Sequence, residues 1–256
     1  DFAQAIADAN PDSPLAKQLT QFKRWYSQAG TPRVHASSSY DSEAKTFTLT
    51  LSQSCAPTPD QAVKEPFVIP VTVGLLSETG QPFHVQLQGE LNTANQSKTL
   101  VLNQASQTFV FENIASAPTP SLLRNFSAPV NLDCALSDAQ WLTLLAHDPD
   151  AFNRWEAGQR LAVQAALRFI RSNGNPDSEK VLDEDFIAAM RSVLQHPELD
   201  AAFKELVLTL PSETYISEQL ESVDPQQVHA VREAMKLQLA TSLFAQWETC
   251  YEQNRV

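Results

Sequence analysis

Lys45 to Gln53 reads KTFTLTLSQ, in which Phe47, Leu49 and Leu51 alternate with Thr46, Thr48, Thr50 and Ser52. Successive side chains of an extended strand point to opposite faces, so this period of two predicts a strand with one dry side and one wet side. The same step recurs in Phe67 to Leu76, where Phe67, Ile69, Val71, Val73 and Leu75 form the apolar set. Pro70 lies inside that run and lacks the N–H of a fully paired residue, which argues against a central place in a sheet. Shorter runs at Arg33 to Ala36, Phe83 to Leu87, Thr99 to Leu102, Thr108 to Phe111 and Val130 to Cys134 bring the expectation to about seven strands. Asp41-Ser42, Thr79-Gly80, Gly89 and Asn113 supply the turns between them. Residues 31–134 therefore read as an antiparallel, immunoglobulin-like β-sandwich, with its topology open because no tryptophan stands between Trp25 and Trp141 to complete the Cys, Trp, Cys signature.

On either side of this region the period is helical. Leu15, Leu19, Phe22 and Tyr26 recur at three- and four-residue steps, and Gly30 stands where a left-handed cap belongs, so residues 1–30 are expected to form one or two helices. So short a pair cannot hide its own apolar face. It is expected to pack on a missing part of a longer protein, leaving Leu15, Leu19 and Phe22 to mediate contacts between copies. After residue 135 the pattern stays helical: Ser137 precedes Trp141, Leu144 and Leu145; Asp148-Pro149 precedes Phe152, Trp155 and Leu161; His196-Pro197 precedes Leu199, Phe203 and Leu206. Asp224-Pro225, with Gln227 three residues after Asp224, starts the longest stripe, Val228, Val231, Met235, Leu239 and Phe244. Short loops between such helices imply antiparallel neighbours. The whole reads as a multi-domain α and β chain: a short helical N-terminal segment, a sandwich, and an α-helical bundle or solenoid over 135–256.

With 43% apolar residues among 256, the chain can bury a real core. Eighteen basic against thirty acidic side chains give a formal charge of −12, which repels phosphate backbones and anionic lipid, so neither nucleic acid nor membrane is expected as a partner. Cys55, Cys134 and Cys250 are widely spaced and odd in number, which fits a reducing, cytoplasmic setting better than a disulfide framework. The Asp at position 1 and the amphipathic run up to Val256 suggest that both ends were cut from a longer protein.

The chemistry-bearing side chains do not assemble a known site. His35, His84, His147, His196 and His229 are scattered, none within four residues of another, so the one-turn pair of a helical zinc site is missing. Glycine is scarce, at six residues, and neither GxGxxG nor GxxxxGK[ST] occurs, which leaves no phosphate cradle. No GxSxG elbow exists. Asp183, Glu184 and Asp185 read as the acidic start of a helix, and Trp141 and Trp155 as core. Arg24 and Trp25 form a cationic aromatic pair suited to fixing a helix on the sandwich. Asn95-Gln96-Ser97 and Asn125-Phe126-Ser127 match the glycosylation acceptor by chance. No catalytic, cofactor-binding or metal-ligating residue is assigned.

FKRWYSQAGTP (Phe22 to Pro32) resembles the closing helix and exit turn of the catalytic domain in M1-family zinc aminopeptidases. TLTLSQSCAPTPDQ (Thr48 to Gln61), KEPFVIPVTVGLL (Lys64 to Leu76), QTFVFENI (Gln107 to Ile114) and NFSAPVNL (Asn125 to Leu132) resemble the bacterial cytoplasmic members, and FNRWEAGQ (Phe152 to Gln159) and LPSE (Leu210 to Glu213) extend the likeness into the helical part. The resemblance implies that 1–30 are terminal helices of the catalytic domain, 31–134 the sandwich domain and 135–256 the first part of a helical domain that walls off the active-site cavity. It also implies one zinc ion in the intact parent, short peptides as its substrates, and the remaining parent domains as partners of this portion. The family's HExxH motif and GxMEN loop have no counterpart between Asp1 and Val256, so no catalytic residue carries over and the portion alone is expected to be inactive.

Overall fold

The computed structural model describes residues 1–91 and 95–255. The chain divides into two compact units, Asp1–Ala135 and Leu136–Val256.

The first unit begins with α1 (Phe2–Ala9) and three single turns, α2 (Pro14–Lys17), α3 (Leu19–Phe22) and α4 (Arg24–Ser27), where one or two helices were expected. Asp1 and Ser13 accept N–H groups of Gln4 and Ala16, and each cap starts a new helical stretch. Gly30 takes φ +95°, the left-handed sense that its position requires. The segment makes contacts with the sandwich. The Trp25 indole N–H donates to the Val68 carbonyl at 2.9 Å, and its ring lies 4.8 Å from that of Phe67, while Phe2 and Tyr26 stay exposed. Leu15, Leu19 and Phe22 are half-buried.

The sandwich comprises β1 (Arg33–Asp41), β2 (Thr46–Ser54), β3 (Ile69–Leu76), β4 (Lys98–Leu102), β5 (Ser106–Phe111), β6 (Thr119–Leu122) and β7 (Asn131–Cys134). They form sheets of order β5-β2-β1-β7 and β4-β3-β6. The alternation in β2 buries Phe47, Leu49 and Leu51, which meet Val71, Val73 and Leu75 of β3 in one core cluster. All pairings are antiparallel except β1 with β7, which run parallel from Arg33↔Asn131 to Ala36↔Cys134.

Three readings change here. Phe83 to Leu87 is extended but not a strand. Its backbone bonds are divided, with Phe83 N–H going to Leu75, Val85 N–H to Asn95, and Gln86 accepting from Glu112, so no one partner holds enough of it to make a ladder. β6, which carries Pro120 and follows Pro118, was hidden by those prolines yet is fully buried. β3 is central despite Pro70, because β6 reaches only Val73 to Leu76; Pro70 falls in the half of the strand flanked by β4 alone.

The second unit contains α5 (Asp138–His147), α6 (Ala151–Arg171), α7 (Glu184–Gln195), α8 (Ala201–Leu208), α9 (Glu213–Ser217), α10 (Pro225–Ser242) and α11 (Phe244–Asn254). Ser137 and Gln140 form a full capping box, and Asp183 and Asp224 cap α7 and α10. The caps of α6 and α8 are Asp150 and Asp200, two and four residues later than Asp148 and His196, the residues that begin the two Pro signals. Asp148 and His196 instead close the preceding helices. Leu145, Ala157, Ala166, Ile187, Met190, Val193, Val207, Val228, Val231 and Met235 make the interior, and no residue of α11 is fully buried.

Candidate functional site

The structure places most of the candidate side chains apart. His35 lies 3.3 Å from Asp133 on the sandwich surface, and His229 lies 2.8 Å from Glu213. Among the described residues no three His, Cys, Asp or Glu side chains gather to hold a metal ion. Asp183 accepts the N–H of Phe186 at 2.8 Å, Glu184 pairs with Lys180 at 2.6 Å, and Asp185 is solvated, so the acidic cluster serves the start of α7. Asn95 and Asn125 are exposed. Trp141 is buried beneath the Arg160 guanidinium, 5.0 Å from its ring, and Trp155 is half-buried against Phe152. Arg24 and Trp25 fasten a helix to the sandwich as expected, though by hydrogen bonds to Pro66 and Val68 rather than by a cation over a ring.

Two buried cationic centres escaped the sequence reading. Arg154 on α6 is 3% exposed and turns back on the end of α5, its Nε and Nη2 donating to the Asp148 carbonyl and Nη1 to that of Ala146. It thereby satisfies orphan carbonyls that a helix end leaves behind. The buried Asp148 carboxyl supports its charge, while burial holds the guanidinium below its ordinary range. Arg124 in the sandwich is likewise 3% exposed and donates to Ser121, Ser97 and the Gln96 carbonyl. The guanidinium lies over Gly74, the one bare position in a β-branched and leucine-rich strand, and that bareness was the available signal.

His147 and His196 end α5 and α7, and the Arg154 charge reaches both. Partial burial first, and Arg154 second, hold both imidazoles below their usual value, with Lys204 adding to the effect on His196 and Glu198 opposing it. Two histidines and an arginine that disfavour a further positive charge make a poor cation site. The unfolded chain binds these protons more tightly than the folded one, so stability is full above the ordinary histidine range and is lost as pH falls through and below it. Thermal melts of the helical unit from pH 7 to pH 5 are expected to show a falling midpoint, and His147→Gln with His196→Gln should flatten that slope.

An apolar cleft of about 250 Å³ lies between Leu208, Leu210, Leu239 and Trp247, with Arg232 and Lys236 beside it. Both cations are within 4 Å of Glu233, at 3.7 and 3.4 Å, which offsets one of the two charges.

Each unit corresponds to a known domain type. Residues 30–135 match a domain of unknown function, DUF3458, described as an Ig-like fold, and residues 138–256 match DUF3458_C, described as ARM repeats. The two matches lie in tandem, as a DUF3458 pair. Homology to aminopeptidase N covers the pair from end to end: it is 39% identical to the Escherichia coli K12 protein over 257 residues, which is 99% of this chain and 28% of that one. It is 37% identical to the Haemophilus influenzae aminopeptidase N over 95% of the chain and 27% of the relative. The pair thus spans little more than a quarter of the length of these relatives. A crystal structure of Legionella pneumophila aminopeptidase A in complex with aspartic acid shares the fold, with a TM-score of 0.76 at 24% identity over 100% of the pair and 27% of that chain. No helix among the described residues of the pair is long and apolar enough to cross a membrane.

Proposed function

We propose that this chain is a non-catalytic scaffold portion of an M1-type zinc aminopeptidase, a cytoplasmic enzyme that removes N-terminal residues from short peptides. One observation carries the reading: the homology to aminopeptidase N fills 99% of this chain yet only 28% of the relative, and the matched part contains no HExxH. Zinc would need three converging donors and an open position, and the described residues offer no such set. No step of the reaction is therefore assigned to these side chains. In the intact parent, the sandwich would act as a spacer and the helical array as a wall of the cavity, both in contact with the remaining domains.

The purified chain is expected to carry no stoichiometric zinc by plasma mass spectrometry and to release no chromophore from aminoacyl-nitroanilides above blank. Zinc at one equivalent, or turnover that survives inhibitor-free repurification, would overturn the proposal. Reading the gene upstream of Asp1 separates the scaffold from a free-standing interaction module, because only the scaffold requires an in-frame HExxH there.

A further inference from the structure

The passage from α4 into β1 is held by two glutamine side chains that work in opposite directions. Gln61, in the loop between β2 and β3, donates from Nε2 to the Ser27 carbonyl at 2.7 Å and accepts the Ala29 N–H on Oε1 at 2.8 Å. Gln28 reciprocates on the same loop, donating to the Glu65 carbonyl at 2.9 Å and accepting the Glu65 N–H at 2.7 Å. A primary amide carries the donor and acceptor that a strand neighbour would offer, so each segment completes the other's backbone without a sheet between them. Lys64 pins the same point, its ammonium bound to the Ala29 carbonyl, Thr58 Oγ1 and Gln61 Oε1 at 2.9, 2.6 and 2.7 Å. Farther along, Gln21 donates to the carbonyls of Pro66 and Asn103, and Trp25 packs against the sandwich core.

We propose that Gln28 and Gln61 form a reciprocal latch that makes residues 1–30 a rigid strap of the sandwich, so that the strap positions the sandwich and no hinge operates between Ser27 and Pro32. The four bonds link two short segments at both ends, so each shortens the search of the other and they hold or release together. Neutral amides make all four, and salt screens neutral partners far less than exposed ion pairs. The inference is independent of the aminopeptidase reading and is tested on the chain alone, without any activity.

Amide hydrogen exchange on the whole chain provides the test. In the wild type, the Ala29 and Glu65 amides are expected to fall in the slow class of the β2 amides, at high salt as at low. Gln61→Met keeps the side-chain length but removes both the donor to the Ser27 carbonyl and the acceptor of the Ala29 N–H. It should speed exchange at Glu65, which Gln28 holds, by about tenfold, and Gln28→Met should do the same at Ala29. Acceleration at the distant amide with β2 protection kept supports a single latch, and an equal loss of protection in β2 overturns it as general unfolding. An unchanged distant amide overturns it. Were either variant to fail to fold, the wild-type rates decide: exchange of Ala29 and Glu65 at the speed of free chain refutes the latch.

Discussion

Replacing Arg154 by alanine is expected to cost the helical unit about 3–5 kcal/mol, because a buried guanidinium and its charge-assisted bonds to backbone carbonyls are lost together. Three donated bonds disappear at once, returning the carbonyls of Ala146 and Asp148 to the unsatisfied state of an uncapped helix end. The buried Asp148 carboxyl also loses the favourable influence of the guanidinium charge. Arg154→Met should recover only the packing part of the loss, because it keeps the volume but leaves the carbonyls of Ala146 and Asp148 without their donors. Arg160→Ala, on the same helix but half-exposed beside Glu156, serves as the comparison and should cost about 1 kcal/mol or less. Urea denaturation followed by far-ultraviolet circular dichroism reads all three. An Arg154→Ala cost no larger than that of Arg160→Ala would show that the α5 corner does not need its cap.

Gly74→Ala should have the second largest effect, about 2–4 kcal/mol on the sandwich. A Cβ at that position would fall within the guanidinium of Arg124, so the guanidinium must move. Arginine tips are flexible, and on a surface such a shift is cheap. Here the side chain is 3% exposed and bonded to Ser121, Ser97 and the Gln96 carbonyl, so moving it breaks charged hydrogen bonds inside the fold. Pairing Gly74→Ala with Arg124→Met should cost less than the sum of the single changes, since the clash and the buried charge leave together. Strict additivity would mean that the two residues do not share the space.

The period-two stretches were legible because each has one dry face, and β2 and the inner half of β3 follow directly from that alternation. β6 was not legible, because TPSL, at the edge of the β4-β3-β6 sheet, carries a proline and has every residue buried, so no wet face remains to set a rhythm. Phe83 to Leu87 shows the converse. Its composition is that of a strand, but pairing depends on neighbours, and its backbone groups are shared among several. Helix starts were legible where Asp or Ser caps directly, as at Ser137, Asp183 and Asp224, and misplaced where a proline stood upstream of the real cap. Arg154 stayed hidden because its partners are backbone carbonyls of the preceding helix, which carry no residue-type signal. The latch at Gln28 and Gln61 was invisible for a related reason: glutamine is an ordinary surface residue until the fold brings another chain segment's N–H and C=O beside it.

The parallel pairing of β1 with β7 has a mechanical consequence. These strands are the first and last of the sandwich, bonded side by side from Arg33↔Asn131 to Ala36↔Cys134. Tension drawn through the polypeptide enters at the start of one and leaves at the end of the other, so it slides the two lengthwise against every rung together instead of unzipping them one rung at a time. A module wired this way resists stretching along its own thread, a property suited to a spacer.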